Sequence, residues 1–131
     1  MVLYTNCILK PRKAFEGTRI SVMSRHTRDD GKTPDERITP DLYDEHLVAL
    51  APPPLLIGDL KLRGMTWYGF RLRYWEFLGG KPDEIRELVI RAMDGDVSLL
   101  GIEPDPNKCH RGILAEECER ISEYAIKVEH L

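Results

Sequence analysis

The residues best suited to chemistry lie close together near the end of the chain, in Pro104-Asp105-Pro106-Asn107-Lys108-Cys109-His110-Arg111-Gly112. Two prolines stiffen this turn, and a helical pattern follows it. A helix start offers unpaired N–H groups and about half a positive charge, so it attracts anions and favours a thiolate over a thiol. Cys109 has Lys108, His110 and Arg111 as neighbours. A partly exposed thiol there is expected to have a lowered pKa and to act as a nucleophile or be oxidised reversibly. His110 is the candidate proton donor or acceptor, Arg111 and Lys108 are candidate anion ligands, and Asn107 is a candidate N-cap. Even an inert cysteine leaves the turn able to hold an anion.

A second basic pair, Arg25-His26, follows the apolar-polar alternation Arg19-Ile20-Ser21-Val22-Met23-Ser24. If that segment and the one before Cys109 are neighbouring parallel strands, both turns lie on the same edge of the sheet. Arg25, His26 and Arg111 could then converge on one phosphate or carboxylate. The competing reading leaves Arg25 as a surface charge, or pairs it with Asp29 or Asp30.

Other chemistries fail on spacing. A tyrosine phosphatase loop needs an arginine six positions after its cysteine, and position 115 is alanine. Cys7, His26, His46, Cys109, His110 and His130 form no paired clusters of the kind a zinc site uses, so no metal is expected. The glycines give no GxGxxG, phosphate-binding loop or Gly-x-Ser-x-Gly pattern, which removes the usual signals for a dinucleotide cofactor, a nucleoside triphosphate or a serine hydrolase. No cofactor is expected.

The elements that would position these residues follow from periodicity. Val2 to Leu9 and Arg19 to Arg25 read as strands. The polar stretch from Arg25 to Thr39 reads as a long loop with hardly an apolar anchor, the kind that is functional or mobile. Thr39 and Pro40 look like a helix start, with Leu42, Tyr43, His46, Leu47 and Leu50 on one face and Pro52-Pro53-Pro54 as its stop. Leu55 to Leu60 fits a short strand or buried loop.

Thr66 caps the next helix, where Trp67, Phe70, Tyr74 and Leu78 recur at helical spacing before Gly79-Gly80. Pro82, Asp83 and Glu84 open a third helix, whose stripe is Ile85, Leu88, Val89, Ala92 and Met93, with Gly95 as its stop. Val97 to Glu103 is a nearly unbroken apolar strand, as expected at the centre of a sheet covered on both faces. Ile113, Leu114, Cys118, Ile121 and Ala125 mark a last helix running toward the C-terminus. Strands separated by helices imply an α/β fold, a mostly parallel sheet flanked by helices on both faces, in one layered domain over residues 1–131.

Composition narrows the partners. The chain has 131 residues with a formal charge of −3, which argues against a broad electrostatic footprint on nucleic acid. No apolar run approaches a membrane span, and the N-terminal residues have the wrong order for a secretory signal. Three cysteines without CxxC spacing suit reduced thiols in a cytoplasm. The expected partner is a small anionic ligand; the oligomeric state is not given by the sequence. The alternative is a non-catalytic interaction module whose 25–39 loop orders on a protein or nucleic acid.

The C-terminal third, from Leu99-Leu100-Gly101-Ile102-Glu103 through Cys109-His110-Arg111-Gly112-Ile113-Leu114-Ala115, resembles the family known as domain of unknown function 488. The glutamate after the strand, the turn proline, the Cys-His-Arg triplet and the Leu-Ala pair agree in order. Arg19 to Arg25 and the aromatic helix carrying Trp67, Phe70, Tyr74 and Leu78 extend the likeness over most of the chain. Many members carry a cysteine where Gly101 stands, so the resemblance implies a site with a single thiol at that place here. A sister branch has Asn-His-Ala in place of Cys109-His110-Arg111, which implies that His110 is the constant element if the branches share a function.

Overall fold

The apolar segment Val97-Ser98-Leu99-Leu100-Gly101 is buried at every position because it is the middle strand of five. The computed structural model describes residues 1–131. Its strands are β1 (Val2–Cys7), β2 (Thr18–Ser21), β3 (Glu45–His46), β4 (Val97–Gly101) and β5 (Lys127–His130), in the spatial order β3-β2-β4-β1-β5. Every pairing is parallel, with Leu3 opposite Val97 and Cys7 opposite Gly101 on one side of β4, and Ser21 opposite Leu100 on the other. The helices are α1 (Pro54–Leu62), α2 (Trp67–Gly79), α3 (Pro82–Asp94) and α4 (His110–Ile121). None is long and apolar enough to cross a membrane.

Alternation along the strands gives the sheet two different faces. Leu3, Ile20, Val97 and Leu99 point to one side and join residues of all four α-helices in a single cluster of 19 buried residues. Tyr4, Asn6, Arg19, Ser98 and Leu100 point to the other, which is covered by 3₁₀ turns and extended chain, so the four helices cover one face of the sheet and not the two that the sequence predicts. There the 3₁₀ turn Ala14–Glu16 lays Phe15 against Tyr4, at 5.3 Å between ring centroids. Glu16 is fully buried and accepts from Asn6 Nδ2 at 3.1 Å and from Lys13 N at 2.7 Å. Arg19 Nε lies 3.7 Å from the same carboxylate, and its two terminal nitrogens donate to the carbonyls of Lys10 and Ile8. A buried charge pair is tolerated only when its remaining polar atoms are bonded, and these partners supply most of that. Gly17 completes the turn, since its φ of +66° and the Asp96 carbonyl, 2.0 Å from where a Cβ would stand, leave no place for a side chain.

Helices α2 and α3 form where their caps and periodicity place them. Thr66 Oγ1 accepts from Gly69 N at 3.1 Å, and Phe70, Tyr74 and Leu78 are buried. In α3, Ile85, Leu88, Val89 and Ala92 are buried, while Met93 at the fringe is exposed.

Three further expectations are corrected. Thr39 to Leu50 is not a helix. Pro40 starts only a 3₁₀ turn, Pro40–Leu42, and the chain then straightens to pair with β2, with Asp44 N donating to Arg19 O at 2.8 Å and Leu47 N to Ser21 O at 2.9 Å. An open sheet edge is satisfied by a strand and not by a helix, and that requirement outweighs the apolar spacing. Leu55 to Leu60 lies in α1, with Pro54 at its first helical position. Its apolar run hid the period because Leu55 and Leu62 stay exposed, at 78% and 59%.

The last helix stops at Ile121. Glu123 and Tyr124 adopt left-handed φ of 54° and 65°, and the chain turns to place Lys127–His130 beside β1 as an edge strand.

Candidate functional site

In an open parallel sheet the carboxyl ends of the strands carry the loops that can converge on a ligand. Strands β2 and β4 are neighbours, and their pairing continues past the last strand residue through Val22 N to Leu100 O at 3.1 Å. Their exits, Met23 to His26 and Ile102 to Arg111, therefore leave the sheet side by side. His110 ties them together. Its Nε2 lies 2.6 Å from the Val22 carbonyl, which can only accept, so Nε2 carries the hydrogen and Nδ1 is left as an acceptor. Burial pulls its pKa down to about 4, the bond to Val22 opposes that, and Arg111 and Lys61 add to it. His110 is therefore neutral at pH 7, with the edge of its ring against Tyr74 at 5.8 Å between centroids.

Cys109 is the residue before the first turn of α4, and it is 2% exposed. The pKa expected to fall is instead raised, because burial disfavours the thiolate. Arg111 and hydrogen bonds from the backbone N–H groups of Arg111 and Glu103 work in the other direction without overcoming it. Gly101 makes this packing possible, since a Cβ there would lie 2.4 Å from Cys109 Sγ. Alkylation of Cys109 in the free protein should show a pH midpoint above that of an ordinary thiol; a midpoint below it would contradict the burial.

Arg111 is completely buried and faces the backbone, not the cleft. One terminal nitrogen donates to the Glu103 carbonyl and the other to Pro104 O at 3.3 Å, while Nε has no partner. The guanidinium thus holds the exit of β4 in its turn. Asn107 is exposed in the 3₁₀ turn Pro106–Lys108 and caps nothing. The cap of that turn is Asp105, which accepts from Asn107 N at 2.9 Å. His26 turns inward: it stacks on His46 at 4.2 Å, bonds Ser21 Oγ at 2.7 Å, and burial followed by the neighbouring His46 lowers its pKa to about 4.

Of the residues singled out in the sequence, Arg25, Lys108, Cys109 and His110 line one cleft of about 730 Å3, and His26, Asn107 and Arg111 do not. The cleft is within the size range of small-molecule sites. Its other walls were not foreseen. The segment after β2 is a closed hairpin rather than a loose loop: Thr27 bridges Pro34, Arg28 N donates to Thr33 O at 2.8 Å, and the Asp30 carboxylate accepts from the backbone N–H groups of Lys32 and Thr33. It brings Arg28 and Lys32 to the cleft.

Opposite, α1 supplies Leu55 and Lys61, and Arg63 follows at its C-cap. Lys61 pairs with Glu103 and lies 3.8 Å from Asp29, so one ammonium joins α1, the β4 exit and the hairpin. Arg63 lies across Gly58, where a Cβ would meet its guanidinium at 2.6 Å. A glycine in mid-helix was the one available sign of this close approach.

The fold and cleft together define a parallel α/β domain with a basic pocket at the carboxyl edge of its sheet. A model of the DUF488-N3a family, described as the active DUF488-N3 subclade, matches residues 3–121, and the chain belongs to that family. No curated protein and no solved structure matches the chain.

Proposed function

We propose that the cleft binds a small ligand bearing an anionic group, a phosphate or carboxylate, with Cys109 and His110 at the protein wall as the groups available for chemistry. The observation that carries this reading is that Arg25 and Lys108, from turns 83 positions apart, line the same cleft as the start of α4. Neither cation has a carboxylate partner, and the helix start adds its own positive end. Cys109 contributes as a thiol and His110 as a neutral acceptor through Nδ1. The family is described as an active subclade, which is compatible with chemistry at this cleft. Three unpaired cysteines fit a reducing compartment such as the cytoplasm. The 25–39 segment as a surface that orders on a partner has less support, because its hairpin is already closed by its own hydrogen bonds.

Thermal denaturation against a panel of nucleotides, sugar phosphates, sulfur oxyanions and small carboxylates tests the reading. At least one member should stabilise the protein, by about 2.7 kcal/mol at a hundredfold excess over its Kd. The double variant Arg25→Ala/Lys108→Ala should keep the ligand-free Tm and lose most of the shift. A panel without any shift, or a shift unchanged in the double variant, would overturn it.

A further inference from the structure

The charge of the cleft carries the reading one step further. In a chain of formal charge −3, the cleft is lined by six cationic side chains, Arg25, Arg28, Lys32, Lys61, Arg63 and Lys108, against three carboxylates, Asp29, Asp30 and Glu103. That is a surplus of three positive charges among the lining side chains, or two once the Asp59 partner of Arg63 is counted, on a protein that is acidic overall. The carboxylates are also committed elsewhere. Glu103 and Asp29 face Lys61, and Asp30 accepts from Lys32 N at 2.9 Å, Thr33 N at 2.8 Å and the Thr33 hydroxyl. Arg63 has its own partner in Asp59 at 2.6 Å.

Four cations remain without an acidic partner: Arg25, Arg28, Lys32 and Lys108. They come from the hairpin on one side and the Cys109 turn on the other. The carboxylates nearby offset only part of this positive charge, and an anionic ligand would offset the rest. A phosphate monoester brings at most about two negative charges, fewer than these four cations. A diphosphate ester brings one more.

The rest of the lining is apolar. Leu55 is 78% exposed, Leu62 is 59% exposed, and with Ile57, Leu60 and the half-buried Trp67 they face the same space. Exposed apolar side chains concentrated in a cleft mark a surface that a ligand covers. The geometry points to a diphosphate ester with an apolar or aromatic body as the ligand, its diphosphate held by Arg25, Arg28, Lys32 and Lys108 and its body laid against α1 and Trp67. The inference rests on the anion-binding reading above and names the ligand class within it. A planar base and a prenyl chain would both present this chemistry, and the probes separate them.

The test is calorimetric titration of the intact protein at low salt with inorganic phosphate, inorganic pyrophosphate, adenosine diphosphate and geranyl diphosphate. Pyrophosphate should bind at least about tenfold more tightly than phosphate, and one of the two esters should improve on pyrophosphate by about another tenfold. The ester that does so identifies the body as aromatic or aliphatic. Arg28→Ala and Lys32→Ala should each weaken pyrophosphate by about tenfold, and added salt should weaken it further. Arg73→Ala, an exposed cation of α2 outside the cleft, should change nothing.

Equal affinity for phosphate and pyrophosphate would overturn the inference, and so would two esters that bind no better than pyrophosphate. Either result leaves anion binding itself intact. That reading fails separately, if no phosphate, sugar phosphate, sulfur oxyanion or carboxylate binds at all.

Discussion

Replacing Arg111 with alanine is expected to lower the stability of the protein by about 3–5 kcal/mol, more than any change at the exposed cations of the cleft. The side chain is fully buried, and its terminal nitrogens satisfy the carbonyls of Glu103 and Pro104. Truncation strips both carbonyls of their donors and leaves a void between α4 and the exit of β4. Arg111→Lys should recover only part of the loss, because an ammonium on a single stem does not reproduce the planar fork. Urea denaturation measures both variants. A loss under about 1 kcal/mol for the alanine variant would show that the guanidinium does not hold the turn.

Acidification should produce an effect of similar size. His26 and His110 are each held neutral, with pKa near 4 against an ordinary value of 6.5. A histidine with a depressed folded pKa binds its proton more readily in the unfolded chain. Its contribution is therefore complete above about pH 6.5 and is lost as pH falls toward 4. With 1.36 kcal/mol per pKa unit, the depression amounts to about 3 kcal/mol for the buried His110, and to less for the half-buried His26, whose ring is partly screened by solvent. Asp30 and Asp35, held near pKa 2 by their hydrogen bonds, titrate below that window and do not obscure it.

Protonation also has a structural consequence, since His26 stacks on His46 and His110 is the bond between α4 and the β2 exit. The urea midpoint should fall steeply between pH 6.5 and 5, while the ring resonances of His26 and His110 in the native state stay close to their neutral positions. A flat urea midpoint across that range would contradict both assignments.

The sequence made the core elements plain wherever one physical signal acted alone. Proline, an acidic first turn, a regular apolar stripe and a closing glycine marked α3, and unbroken apolar character marked β4 as central. The resemblance to the domain of unknown function 488 agrees with the family match over residues 3–121. Signals failed where a long-range partner decided the outcome. Nothing local to Glu45 and His46 shows that they will complete the edge beside β2, and the leucines of α1 conceal its period because some of them face the cleft.

The site was legible in part for the same reason. Arg25 and the Cys109 turn could be placed on one edge once their strands were taken as parallel neighbours, and β2 and β4 are that pair. The direction each side chain takes after leaving the strand was not legible. Arg111 and His26 turned inward to satisfy backbone and side-chain partners, and Arg28, Lys32, Lys61 and Arg63 supplied charge from segments whose folding the local pattern did not show.

Titration of the isotope-labelled protein with inorganic pyrophosphate, followed amide by amide in nitrogen-proton correlation spectra, tests most directly whether the two turns form one anion cleft. Shifts should gather together on residues 25–32, 61–63 and 108–110 and saturate along a single binding curve. Shifts confined to one of these segments, or gathered instead around Lys10 and Lys13 on the other face of the sheet, would contradict the account.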